Sequence, residues 1–253
     1  MKNSAPSIFL FCSGESLFHP AMYDQLLEQW GGAIVGAAVF PVSGRSGFRN
    51  ALKLDGPPAL PRMAARWARI RAGQLAAGRP WLLSVRRTFK RHNLSVDFFD
   101  SPNAGACTAL VRRLGVDIVY NNQPIRLGDA ILSEPRMGCI NRHCSALPQY
   151  RGVEPVVRAL LNRDRSIGVS IHTMTPEYDC GRIVAQASVE AVPNVFECYE
   201  RAFAVSVELF DRAVDNLMCA KDLGRVTAGN SPYYGQLTGE EVLLFKKLGL
   251  RYI

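Results

Sequence analysis

The stretch CINRHCSALPQYRG (139–152) places an Asn, a His and a Ser at alternate positions ahead of a proline turn. In a strand, residues two apart share a face. Asn141, His143 and Ser145 then point one way, and Ile140, Arg142 and Cys144 the other. Buried strands rarely give alternate positions to polar groups, so the pattern suggests chemistry. Asn141 offers an amide donor and His143 a group that titrates near neutrality. Acyl transfer to an amine uses both: a donor for the oxyanion that develops on the carbonyl, and a base for the proton of the attacking nitrogen. A carboxylate that orients the imidazole would complete the set. Ser145 reads as a hydrogen bonder of the turn, since no nucleophile-elbow sequence surrounds it.

The elements that position these groups can be read from the pattern around them. SIFLFCSG (7–14), AIVGAAVF (33–40), LSVDFFD (94–100), VDIVYNN (116–122), GCINRHCS (138–145), IGVSIHTM (167–174) and RIVAQASVEAV (182–192) read as strands. MYDQLLEQW (22–30), AGACTALVRRLG (104–115) and PVVRALLNRD (155–164) read as helices, with Gly115 as a stop signal and Pro155 in a first turn. One long amphipathic helix is expected from Glu197 to Cys219, then a turn-rich tail with a short helix. Alternating strands and helices predict an α/β, doubly wound and mostly parallel sheet. The connections after the strands near 120 and 145 lie at its carboxyl edge, where open α/β sheets bind ligands. His172, on a later strand, reads as a packed residue.

Composition narrows the classes further. The chain has 253 residues, 48% of them hydrophobic, which suits a chain with a sizeable core. No apolar run approaches the roughly 20 residues that span a bilayer. The apolar stretch Ile8–Cys12 is too short for a signal peptide, so a cytoplasmic protein is expected. The seven cysteines are scattered without a Cys-x-x-Cys, and the four histidines lack metal spacing. No metal is therefore expected. The net charge of +8 is concentrated: Gly56–Val96 holds nine of the 30 basic residues and none of the 22 acidic ones. Within it, Met63, Trp67 and Ile70 share helical spacing, as do Arg62, Arg66 and Arg69. This is an amphipathic helix with a basic face. A packed helical insertion, a phosphate or polyanion site, and membrane-surface attachment are three readings of it.

The residues NRHCSALPQYRG (141–152) also carry a resemblance. They are similar to the signature of the 10-formyltetrahydrofolate-dependent formyltransferases, a family that includes glycinamide ribonucleotide transformylase, methionyl-tRNA formyltransferase and the sugar N-formyltransferases. ALLNRD (159–164), GVSIH (168–172) and DCGRIVAQ (179–186) resemble the family's following elements. The resemblance spans roughly residues 115–190. It implies the Rossmann-like formyltransferase fold and a catalytic trio of Asn141, His143 and Asp179. On the bare sequence, Asp179 in PEYDCG could equally be a turn residue. The resemblance also implies a folate pocket built from backbone groups at Ile125, Arg126 and Leu127, closed by the loop 176–179. Arg126 stands where the family usually has an apolar residue. Arg151 could help to bind the acceptor.

These readings predict a catalytic region over 1–220, with a basic insertion at about 56–93, and an extension over 221–253. The expected reaction moves a formyl group from 10-formyltetrahydrofolate to a primary amine, with a nucleotide-linked amino sugar preferred as acceptor. An amino-acid-type amine and glycinamide ribonucleotide are the alternatives. CSGESLF (12–18) is at best a remnant of a phosphate loop, and SGRSG (43–47) could cradle an anion. The short tail argues against a tRNA acceptor. The expected partner is a small-molecule amine, with no nucleic acid, and a homodimer is left open. A non-catalytic folate- or nucleotide-binding protein is the rival from another class.

Overall fold

The computed structural model describes residues 5–14, 17–41, 45–219 and 231–253. The run IFLFCS forms β1 (Ile8–Ser13), and every residue of it is buried. A central strand covered on both faces reads as an unbroken apolar run in this way. Its alternate residues divide the interior. Ile8, Leu10 and Cys12 enter one core, and Phe9 and Phe11 enter another. Each fully buried Phe contributes about 2–3 kcal/mol of transfer free energy.

The chain continues through α1 (His19–Trp30), β2 (Ile34–Phe40), α2 (Arg45–Asp55), α3 (Ala59–Ala76), a 3-10 turn (Pro80–Leu83), α4 (Val85–Arg91) and β3 (Val96–Phe98). Next come α5 (Gly105–Arg113), β4 (Ile118–Asn122), α6 (Asp129–Leu132), β5 (Gly138–His143), β6 (Arg151–Gly152) and α7 (Pro155–Leu161). Then follow β7 (Ser166–Thr173), β8 (Ile183–Glu190), α8 (Val195–Ala204), α9 (Ser206–Met218), β9 (Tyr233–Tyr234) and α10 (Gly239–Lys247). The main sheet runs β3-β2-β1-β4-β5-β7-β8. It is parallel through β5, while β7 and β8 join antiparallel. Residues of α1, α4, α7, α8 and α9 cover one face, and residues of α5 and α6 the other. The strand order reverses between β1 and β4, so the crevice of this doubly wound sheet opens at the carboxyl ends of β1, β4 and β5. Among the described residues no helix is long and apolar enough to cross a membrane.

Three expectations are corrected or refined. The long helix from 197 to 219 is two helices that meet at Val205. The Ser206 hydroxyl donates to the Ala202 carbonyl at 2.7 Å, within hydrogen-bonding reach of a group the helix ladder would otherwise use. The helix expected through Met63, Trp67 and Ile70 is α3, and the basic segment continues through the 3-10 turn into α4. Gly78 takes φ +68 at the break, and Ser84 caps α4. Three of the segment's nine cations are engaged with carboxylates. Arg62 pairs with Asp55 and Arg66 with Glu200, while Arg91 pairs with Asp24 and lies 3.9 Å over the Trp81 ring. Ser145 lies beyond the end of β5, so only Asn141 and His143 share the strand face.

Residues 231–253 pack back onto the region before them. β9 adds parallel to β6. The backbone N–H groups of Tyr252 and Ile253 donate to Asp55 at 2.8 and 3.2 Å. Arg158, 5% exposed, donates to the Gly235 carbonyl, pairs with Glu241, and stands 4.5 Å over the Tyr234 ring. The expected boundary at 220 and residues 43–44 of the anion loop lie outside the described residues, as do residues 15–16 of the phosphate-loop remnant.

Candidate active site

The sheet register builds the site. Asn121 on β4 pairs with Asn141 on β5, and Asn141 pairs with His172 on β7. Three adjacent strands thus present an amide, an amide and an imidazole in one row. Cross-strand partners on one face lie close enough for their side chains to meet. Asn121 Nδ2 donates to Asn141 Oδ1 at 2.9 Å, and Asn141 Nδ2 lies 3.2 Å from His172 Nε2.

Backbone groups at the ends of the row set the direction of every amide. The Ile125 N–H donates to Gln123 Oε1 at 2.5 Å. Gln123 Nε2 then donates to Asn121 Oδ1 at 2.8 Å, which turns the Asn121 NH2 toward Asn141. At the other end, His172 Nδ1 sits 2.9 Å from the Thr173 carbonyl. A carbonyl only accepts, so Nδ1 carries the proton and Nε2 is free to accept from Asn141. Asn141 is left with one amide hydrogen that has no partner among the described residues.

Asp179 closes the row. Its Oδ1 is 3.6 Å from His172 Nε2 and 3.6 Å from His143 Nδ1. Its Oδ2 accepts the Gly152 N–H at 2.8 Å. Burial raises the Asp179 pKa, but the two imidazoles and the Gly152 N–H outweigh it and hold the carboxyl at about 2. His143 Nε2 lies 3.0 Å from the Tyr150 carbonyl, which assigns its proton to Nε2 and leaves the Nδ1 lone pair toward Asp179. Burial draws the His143 pKa below the usual imidazole range, against the attraction of Asp179. The imidazole is therefore a neutral base at pH 7, beside an ionised carboxylate that can stabilise its protonated form.

Two glycines allow this closeness. A Cβ on Gly152 would fall 2.3 Å from the Tyr234 carbonyl oxygen, and one on Gly181 would fall 1.5 Å from that of Thr173. Gly152 also adopts φ +99, a conformation that L side chains rarely take. The contact at Gly152 is with β9, so the tail segment forms one wall of the loop that carries Asp179's backbone donor.

The structure brings Asn141, His143 and Asp179 together. Ile125, Arg126 and Leu127 follow the row on the loop after β4. The Leu127 side chain is buried in the core below, and Ile125 is half-buried beside it. Arg126 points to solvent while its carbonyl accepts from Asn103 Nδ2 at 2.9 Å. Gln123 and Asn103 thus clamp the backbone on either side, and a rigid peptide edge results. Such an edge suits a flat ligand with alternating donors and acceptors. Arg151 is 6% exposed and donates to the carbonyls of Tyr178 and Ser231 at 3.0 and 3.2 Å. These bonds tie the Asp179 loop to the tail. The Ser145 hydroxyl donates to the Gln149 carbonyl at 2.6 Å, within the turn.

His172, Asn121 and Gln123 were missed as site residues by the sequence reading. His172 is packed, at 2% exposure, yet it also joins Asn141 to Asp179. The signal was available: VDIVYNNQ and GVSIH each end an apolar strand in polar groups. Their register against Asn141 was not.

Comparison with known proteins agrees with this geometry. Residues 101–202 match the formyl transferase family model. A methionyl-tRNA formyltransferase of Thermotoga neapolitana is 42% identical over 83 residues, which cover 33% of this chain and 26% of that protein. The curated relatives of this kind are covered over only 26% to 40% of their own length. A phosphoribosylglycinamide formyltransferase structure from Streptococcus pneumoniae aligns over 84% of this chain and 99% of its own, with TM-score 0.56 and 16% identity. A sugar N-formyltransferase structure from a Shewanella species aligns over 97% of this chain and 89% of its own, with TM-score 0.59 and 14% identity. Residues 101–202, which match the formyl transferase family model, hold the whole row from Asn121 to Asp179, and the sheet that frames them has the fold of the solved formyltransferases.

Proposed function

We propose that the protein transfers a formyl group from 10-formyltetrahydrofolate to the primary amine of a small molecule. The observation that carries this reading is the row itself: an amide with one uncommitted hydrogen beside a neutral imidazole that faces an ionised carboxylate. The folate, when bound, supplies the formyl group. Its heterocycle would meet the clamped backbone of Ile125, Arg126 and Leu127. Asn141 donates its remaining hydrogen to the formyl oxygen as that atom gains charge. His143 takes the proton of the attacking nitrogen at Nδ1, and Asp179 stabilises the resulting imidazolium. The same proton can then pass to the nitrogen that leaves. Arg151 acts through the Asp179 loop as a positioning residue.

The acceptor is taken to be a small amine. Nucleotide-linked amino sugars stay in the panel because the likeness to a sugar N-formyltransferase runs over nearly the whole chain. The basic segment supports them less than its charge suggests, since Arg62, Arg66 and Arg91 are engaged with carboxylates. The test is incubation with the folate donor and a panel of amino sugar nucleotides, amino acids and glycinamide ribonucleotide, read by the mass gain of one formyl group. No gain with any amine, alongside measurable folate binding, would support the non-catalytic reading instead.

The pH profile is a second expectation. His143 must be neutral to act, and burial lowers its pKa from the ordinary value near 6.5. The His143 imidazole should therefore titrate below pH 6.5 in the free protein, read by NMR of its ring protons. A midpoint above 6.5 would contradict the assignment.

A further inference from the structure

The other face of β5 carries a feature that the formyl-transfer site does not use. Arg142 enters a layer that is otherwise apolar, between Ile140 and Cys144. Its guanidinium stands 3.8 Å over the Phe203 ring. Nε donates to Asn122 Oδ1 at 3.2 Å, and Nη1 lies 3.2 Å from Cys144 Sγ. Nη2 has no partner among the described residues, and no described carboxylate forms an ion pair with this arginine. Arg142 is half-buried, and even a partly desolvated cation is costly unless something compensates it.

The groups around Arg142 are donors that also lack an anionic partner. Tyr23 Oη, Tyr120 Oη and Asn122 Nδ2 are buried and make no hydrogen bond of ordinary geometry, their polar neighbours being only Cys12 beside Tyr23 and Tyr120 and Asn122 beside each other. Tyr23 and Tyr120 are 0% and 1% exposed. Both phenols and the nearby His19 ring lie within the electrostatic reach of the guanidinium. Burial pushes the Tyr120 phenol up to about 12, so it stays protonated and can donate. One cation and three orphan polar groups, collected in one place, lack an acceptor with negative charge.

We propose that Arg142, Asn122, Tyr120 and Tyr23 form the site for a carboxylate of the acceptor, which makes the acceptor an amine borne by a carboxylic acid. This rests on the formyl-transfer reading for its meaning, though not for its test. Charge selects the anion. His19 is held neutral, its pKa pulled to about 3 by burial and by Arg142, so the site offers one positive charge. That balances a monoanion and leaves a dianionic phosphate or a diphosphate undercompensated. Position selects the spacing. Arg142 and the Asn141–His143 pair leave opposite faces of the same strand, so the amine stands several bonds from the carboxylate. An ω-amino acid meets both conditions.

The experiment titrates the full chain, without folate, with 5-aminopentanoate and with its primary amide, by calorimetry. The wild type should prefer the acid roughly tenfold or more, about 1.4 kcal/mol. Arg142→Met, which keeps the apolar stem, and Tyr120→Phe, which removes one donor and keeps the ring, should each bring the two ligands toward parity. Arg142→Lys should keep part of the preference. Circular dichroism of each variant separates lost binding from lost fold, and Tyr120→Phe covers the case in which Arg142→Met does not fold. Equal binding of acid and amide by the wild type would overturn the proposal, as would an unchanged preference in the folded variants. Stronger binding of inorganic phosphate or UDP than of the acid would overturn it too. An acid preference in a protein that formylates nothing would sink the formyl-transfer reading and leave the anion site standing.

Discussion

Asp179→Asn is expected to lower the turnover of formyl transfer by about 10²–10⁴-fold, the usual worth of a positioned acid–base pair. The substitution keeps the shape of the side chain and can keep a bond from the Gly152 N–H. It removes the charge that faces both His143 Nδ1 and His172 Nε2 at 3.6 Å. His143 would then have no anion to stabilise its protonated form, and its pKa, already lowered by burial, would fall further. The loss should appear in kcat at saturating folate, with binding of the folate retained. A variant within threefold of the wild type would remove Asp179 from the mechanism. Stability moves with it. The Asp179 pKa is about 2 in the fold, against 3.8 ordinarily. Its contribution, at most about 2 kcal/mol by proton linkage because His143 is neutral at pH 7, is present above the unfolded value and is lost as pH falls through the folded one. Thermal melts at pH 7 should therefore place the variant below the wild type, and melts at pH 2 should bring the two together.

Arg158→Met should destabilise the protein by about 3 kcal/mol, toward the low end for breaking a buried ion pair. The arginine is 5% exposed, but the side chain of Glu241 keeps 25% exposure, so water can take up the abandoned carboxylate. The variant also loses the bonds to the carbonyls of Val153 and Gly235 and the contact with the Tyr234 ring. Those contacts hold β9 against β6, and β6 contains the Gly152 N–H that binds Asp179. Turnover should thus fall together with the denaturant midpoint, although residue 158 touches no site residue directly. A stable variant with normal turnover would show that the tail segment is a passenger.

The sequence and the fold carry different parts of this account. The strand at 138–143, the pairing of Asn141 with His143 on one face, and the helix stop at Gly115 are local properties. They follow from period-two alternation and from the backbone freedom of glycine. The helix break at Val205 was hidden because VSVELF continues the apolar period of the preceding helix. At the break the Ser206 hydroxyl bonds the Ala202 carbonyl. The basic segment misled through its charge count. Three of its arginines stand against Asp24, Asp55 and Glu200; Asp24 and Glu200 are distant in sequence, and Asp55 sits just outside the stretch counted.

By itself, the sequence determined the layered α/β architecture and the residue types of the chemistry: an amide, an imidazole and a carboxylate along one signature. Side-chain period and local backbone preference suffice for that much. The tertiary structure decided which groups meet. The parallel register of β4 and the antiparallel register of β7 set Asn121 and His172 on either side of Asn141. Peptide groups of Ile125, Tyr150 and Thr173 then chose the direction of each amide and the tautomer of each ring. Arg142 reads as an ordinary strand residue until the fold half-buries it with no described carboxylate in an ion pair with it. Hydrogen-bond direction and desolvation depend on neighbours in space, and those neighbours come from distant parts of the chain.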